Sequence, residues 1–174
     1  MNRPARRKLL AIAIISPLLG VADWTATAQE GRTPAALKAR LEGTWELEEW
    51  HLPNGKVLRP PEIGGRWSNR DGVVMANYHR TGADGFESYA GYGGYALDGT
   101  TWSYWYERNE VARGTSPADA KVTVSPPGQK MVFKLRWEGD TVVLERDGDR
   151  REYDSRSFTF MPKGQVLRKY RKIQ

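Results

Sequence analysis

Glu49 and His51 lie two residues apart in a run, Thr44–Leu52, that reads as a strand. If Trp45 faces inward, alternation puts Leu47, Glu49 and His51 on its side and Glu46, Glu48 and Trp50 on the other. A carboxylate beside an imidazole is a workable general acid/base pair, because the carboxylate orients the ring and holds its proton near neutral pH. A bulge, or an early end to the strand, would instead leave both residues on a solvated rim. A second run, Val73–Arg80, alternates Asn77 and His79 with Tyr78 and Arg80, and either face could be internal. His79 is therefore a third candidate proton carrier. Tyr78 offers a donor at the edge of an apolar pocket, and Arg80 offers a planar clamp for an anion. The chain has two histidines and no cysteine. With no His-x-His or His-x₃-His spacing, it builds no metal site of its own, although a single axial histidine leaves haem open. No motif calls for any other cofactor.

The aromatic content is the outlier, with seven Trp, eight Tyr and four Phe. The densest patch holds Tyr89, Tyr92, Tyr95, Trp102, Tyr104, Trp105 and Tyr106, with Gly91, Gly93 and Gly94 among them. Glycines in strands permit close backbone approach or sharp barrel bends, and neighbouring aromatics fill the space they leave. The same residues could instead form a pocket wall that stacks on a planar ligand while phenolic hydroxyls orient it. On that reading Trp45, Tyr78, Arg80, Tyr92, Tyr95, Trp102, Tyr104 and Trp105 are the ligand-binding candidates. Alternation puts Trp102, Tyr104 and Tyr106 on one face of their strand and Trp105 on the other, so one aromatic set meets a loop, a helix or a partner.

These side chains need a scaffold, and the turn signals define one. Asn54-Gly55, Asp71-Gly72, Asp98-Gly99, Gly139-Asp140, Asp147-Gly148 and Lys163-Gly164 separate runs rich in Val, Trp, Tyr, Thr and Phe. The runs include Lys121–Val124, Lys130–Trp137, Arg150–Met161 and Val166–Lys172, which makes about eight to ten strands in meander order. In Lys130–Trp137 the apolar set Met131, Phe133, Leu135 and Trp137 takes the inner side. Such a pattern predicts an all-β, up-and-down antiparallel sheet that closes into a barrel to remove its edges, with a two-sheet sandwich as the alternative. Ahead of it, Thr33-Pro34 makes an N-cap and first turn for a short helix, so residues 29–42 form a lead-in and 43–174 the barrel.

Residues 1–28 read as an export signal. Arg3, Arg6, Arg7 and Lys8 form a basic start, Leu9–Ala22 an apolar run, and Ala26-Thr27-Ala28 a small-residue cleavage site. The Arg6-Arg7 pair fits a twin-arginine signal as well as an ordinary secretory one. The apolar run is shorter than the roughly twenty residues that span a bilayer, so no stable membrane anchor is expected. Removing residues 1–28 lowers the formal charge from +6 to +3, which is too mild for a nucleic-acid partner. The basic excess gathers around Tyr170, in Lys163, Arg168, Lys169, Arg171 and Lys172, and reads mainly as a solvated last strand.

The segment Leu41-Glu42-Gly43-Thr44-Trp45-Glu46-Leu47 resembles the opening Gly-x-Trp strand of lipocalins, where the tryptophan closes one end of the barrel. A hairpin at Arg66–Ala76, the glycine and aromatic stretch Tyr89–Asp98, and the late strand pair Trp137–Leu144 follow in the order of the bacterial lipocalin-like domain family. The resemblance runs from about Leu41 to Arg146 and implies a small barrel with an internal pocket and no settled activity. Members often carry a histidine pair after the glycine-rich hairpin. Here that place reads Trp102-Ser103-Tyr104-Trp105-Tyr106, so no histidine role carries over.

Together these readings lead to a periplasmic or secreted barrel whose partner is a small, mainly apolar or aromatic ligand. Two alternatives stand beside it. One is an isomerase, cyclase or lyase without an organic cofactor, in which Glu49, His51, His79 or a tyrosine moves a proton. The other is an envelope interaction protein. Oligomeric state is not legible.

Overall fold

The computed structural model describes residues 32–174; the export-signal reading of residues 1–28 lies outside the described residues. Helix α1 spans Pro34–Leu41, and Thr33 Oγ1 caps it by accepting from the Ala36 N–H at 3.1 Å, with Pro34 at the first helical position. The strands are β1 (Gly43–His51), β2 (Val57–Leu58), β3 (Ile63–Arg70), β4 (Val73–Gly82), β5 (Gly85–Leu97), β6 (Thr101–Gly114), β7 (Lys121–Ser125), β8 (Met131–Glu138), β9 (Thr141–Arg146), β10 (Asp149–Tyr153), β11 (Ser157–Met161) and β12 (Arg168–Lys172). Ten of them pair antiparallel in the order β1-β3-β4-β5-β6-β8-β9-β10-β11-β12, and β12 returns to β1. Closure removes every free edge from the wall. The two others are attachments: β2 pairs with the end of β1, and β7 with the distal half of β6.

Most hairpins form where the turn signals lie. Asp71 and Gly72 both have positive φ, at 50° and 83°, and Asp147 and Gly148 repeat this at 49° and 87°, the two-residue geometry that matches the twist of antiparallel strands. Three details depart from the sequence reading. Arg150–Met161 is two strands rather than one, because the Asp154 carboxylate accepts from the Arg156 and Ser157 amides and the Ser157 hydroxyl, each at 2.6 Å, and so folds the chain back. The wall also bypasses β7, since the first half of β6 pairs with β8. Thirdly, β2 had no sequence signal.

The barrel interior is an aromatic core, whose inner face alternates along the strands except where β1 and β6 are irregular. On β1 Trp45 and Leu47 are buried, on β6 Trp102, Tyr104 and Tyr106, on β8 Phe133, on β9 Val142 and Leu144, and on β11 Phe158. Beneath α1 this core packs around Trp45. Leu37 and Leu41 reach down from the helix, Trp45 stands edge-on to Tyr153 and Phe158 at 5.4 and 5.7 Å, and Lys172 Nζ donates to the Ala39 carbonyl at 2.8 Å. Glycine makes room for the rings: a Cβ on Gly91 would stand 3.0 Å from the Tyr106 ring, and one on Gly94 2.3 Å from the Trp105 ring.

Candidate functional site

Two irregularities decide which side chains face the interior. In β1 the register with β12 shifts between Leu47 and Glu49, so Leu47 pairs with Tyr170 while Trp50 pairs with Arg168. The extra residue reverses the alternation. Trp50 therefore turns inward and is buried, while Glu49 and His51 turn to the outer side. In β6 a second shift opposite Tyr92 and Gly93 leaves Glu107 unpaired.

The expectation that Glu49 and His51 share a side with Trp45 is thus corrected by the bulge, although the two are in contact. His51 Nε2 donates to Glu49 Oε2 at 2.9 Å, and the same carboxylate receives Arg59 at 2.6 Å and Lys169 at 3.2 Å. The His51 hydrogen bond, with those of Arg59 and Lys169, outweighs burial and holds the Glu49 carboxyl at about 2 against an ordinary 4.5. A carboxylate locked this way is a weak base at neutral pH. It makes a stability contribution that is fully present above pH about 4.5 and is lost as pH falls toward about 2. Glu49→Gln is accordingly expected to flatten the acid side of the stability profile, as read by thermal denaturation over that range. An unchanged slope would remove this cluster from the account. His79 is exposed on the outer face of β4, its ring over Gly64, away from Glu49's hydrogen bonds.

The interior does hold a cavity, of about 110 Å³. Trp67 of β3, Tyr78 of β4, Tyr89 of β5 and Tyr104 and Tyr106 of β6 form one part of its wall; Phe158 and Phe160 of β11 and Tyr170 of β12 form the rest. The rings brace one another. Tyr78 and Tyr89 stack at 5.0 Å and 8°, Phe158 and Tyr170 at 4.3 Å and 4°, and Trp67 stands edge-on to Tyr104 at 5.7 Å. Such pairs fix ring positions beyond what area burial alone does. Burial pushes the Tyr89, Tyr106 and Tyr170 phenols above their ordinary range, so each remains a neutral hydroxyl.

Two arginines complete the lining, Arg151 from β10 and Arg168 from β12. Arg151 is 5% exposed and its guanidinium carbon lies over the rings of Trp67, Trp102, Tyr104, Phe133 and Phe160 at 4.8 to 5.3 Å. One Nη donates to the Tyr104 hydroxyl at 2.8 Å. Arg168 is half-buried, over Tyr78 at 4.2 Å and over Trp50 and Phe160 at 5.2 Å.

Of the ligand-binding candidates, Tyr78 and Tyr104 line this cavity. Trp45, Tyr95 and Trp102 are buried in the barrel without reaching the lining, Tyr95 through a hydroxyl bonded to Glu42. Arg80 stands over Trp50 at 5.6 Å with its guanidinium bound to Asp84 and Glu87. Tyr92 and Trp105 are corrections: both point outward, Tyr92 half exposed and Trp105 covering Gly94 beneath Lys130. Sequence reasoning missed Arg151 and Arg168. Their signal was alternation with Tyr153 and Tyr170, which share their inner faces and are fully buried. Among the described residues no group of three His, Cys, Asp or Glu side chains could hold a metal ion.

The molecule is thus a closed antiparallel β-barrel with a small aromatic-walled chamber in its interior. No protein-family model, curated protein or solved structure matches the chain. The barrel is compatible with a lipocalin-like fold.

Proposed function

We propose that this chain is an exported member of the lipocalin-like barrels and that it binds one small, mainly apolar or aromatic molecule inside the barrel. The observation that carries the reading is the chamber itself, where eight aromatic side chains from six strands surround about 110 Å³ of space. Cores normally close such a volume, because each missing contact weakens the packing around it. Binding pockets keep it, with apolar walls and a few polar groups to orient the guest. A dry cavity of roughly 150 Å³ admits benzene, so the guest here is about one ring, or a short chain, in size. Of the groups that favoured proton transfer in the sequence, Glu49, His51 and His79 are on the outer side of the wall, and burial keeps the chamber's Tyr89, Tyr106 and Tyr170 as neutral hydroxyls, so binding is better supported than proton transfer.

The test uses benzoate and benzamide as ring-sized probes, followed through the tyrosine side-chain NMR signals. At least one probe is expected to move Tyr78, Tyr104 and Tyr106 while the exposed Tyr92 stays still. Shifts confined to Tyr92 and its surface neighbours, or no shifts with either probe, would overturn interior binding.

A further inference from the structure

Resting on the interior-binding reading, we infer that the guest is a small organic carboxylate whose apolar body lies against the aromatic wall and whose charge meets Arg151 and Arg168. Both guanidinium carbons stand over the same ring, Phe160, at 5.1 and 5.2 Å, so two positive charges share one chamber. None of the lining residues is Asp, Glu or His. The neighbouring arginine Arg150 is bound to Glu138, Glu145 and Glu152 on the outer side, whereas Arg151 and Arg168 have no ion pair among the described residues. Arginine does not shed its proton in a protein, so both charges persist.

The hydrogen-bond inventory points the same way. Arg151 Nε, Arg168 Nε and Trp67 Nε1 are buried donors with no acceptor among the described residues. The rings attract positive charge, but a ring face supplies no lone pair along an N–H. Phenolic hydroxyls are the only side-chain acceptors in the lining. A guest that satisfies this chamber brings acceptors and negative charge together, which is what a carboxylate does, and planar guanidinium groups match it geometrically. An inorganic anion would meet the charge and leave eight aromatic rings facing water. The carboxylate with an apolar body meets both.

Benzoate and benzamide share a shape and differ in charge, and inorganic phosphate carries charge without an apolar body. Titrated against the full chain with the same tyrosine signals, benzoate is expected to bind at least about tenfold more tightly than benzamide, with phosphate silent, a difference of about 1.4 kcal/mol. Arg168→Met and Arg151→Met are each expected to weaken benzoate by about tenfold or more and to change benzamide little. Arg168→Lys keeps a charge while losing the planar fork, and guards against a variant that fails to fold; it is expected to retain the preference for benzoate in part. Benzamide binding as tightly as benzoate would overturn the anion and leave interior binding intact. Phosphate moving the cavity tyrosines while benzoate does not would overturn the organic carboxylate. Silence from both ring-sized probes would instead overturn interior binding itself.

Discussion

Trp45→Ala is expected to lower the free energy of unfolding by about 3–5 kcal/mol, the range for deleting a large aromatic from a closed core. Trp45 is fully buried, edge-on to Tyr153 and Phe158, with Lys172 Nζ 4.9 Å over its ring. Those partners come from β10, β11 and β12, and β12 is the strand that closes the barrel against β1. Truncation therefore loosens the closure seam and opens a void beneath α1 at once. At about 3 °C per kcal/mol for a domain of this size, the melting temperature should fall by roughly 10 °C or more. Trp105→Ala, on the outer face over Gly94, should cost much less. A loss below about 1 kcal/mol at Trp45, measured by chemical denaturation, would mean that the seam is held elsewhere.

Arg151→Met should act with the opposite sign. The Arg151 charge, 5% exposed, rests on aromatic faces and one phenolic hydroxyl, with Nε unpartnered among the described residues. Desolvating an ion costs several kcal/mol, and replacing buried charges with apolar side chains of similar volume is often neutral or stabilising, by about 1–4 kcal/mol. Met retains the length of the arginine stem and packs adaptably against rings. The variant should therefore unfold at equal or higher denaturant concentration while losing benzoate. A clear loss of stability would show that the five rings balance the charge by themselves, and the chamber would then need no anion.

The local grammar of this fold is largely legible in its sequence. The capped helix start at Thr33-Pro34, the Asp-Gly hairpins and the alternation of Met131, Phe133 and Leu135 each rest on interactions within a few residues. What escapes is set by pairing across the barrel. The bulge between Leu47 and Glu49 exists only in register with β12, yet it moves Glu49 and His51 outward and brings Trp50 in. The bypass of β7 arises because β6 is long enough to pair with two strands in succession. At the site, Tyr78 and Tyr104 could be picked out because aromatics in strands draw attention. Arg168 could not, since an arginine within a run of basic residues reads as solvated. Only the burial of Tyr170, two residues along the same strand, gives its direction away.

The most direct test of the account is a crystal structure of the protein grown with the probe that binds more tightly in the NMR titration. The expected result is probe density enclosed by Tyr78, Tyr104 and Phe158, with its polar end at Arg151 and Arg168. The outer face offers a competing location, a groove of about 550 Å³ beside Met75 and Tyr92. Density there, with the inner chamber holding only water, would contradict interior binding.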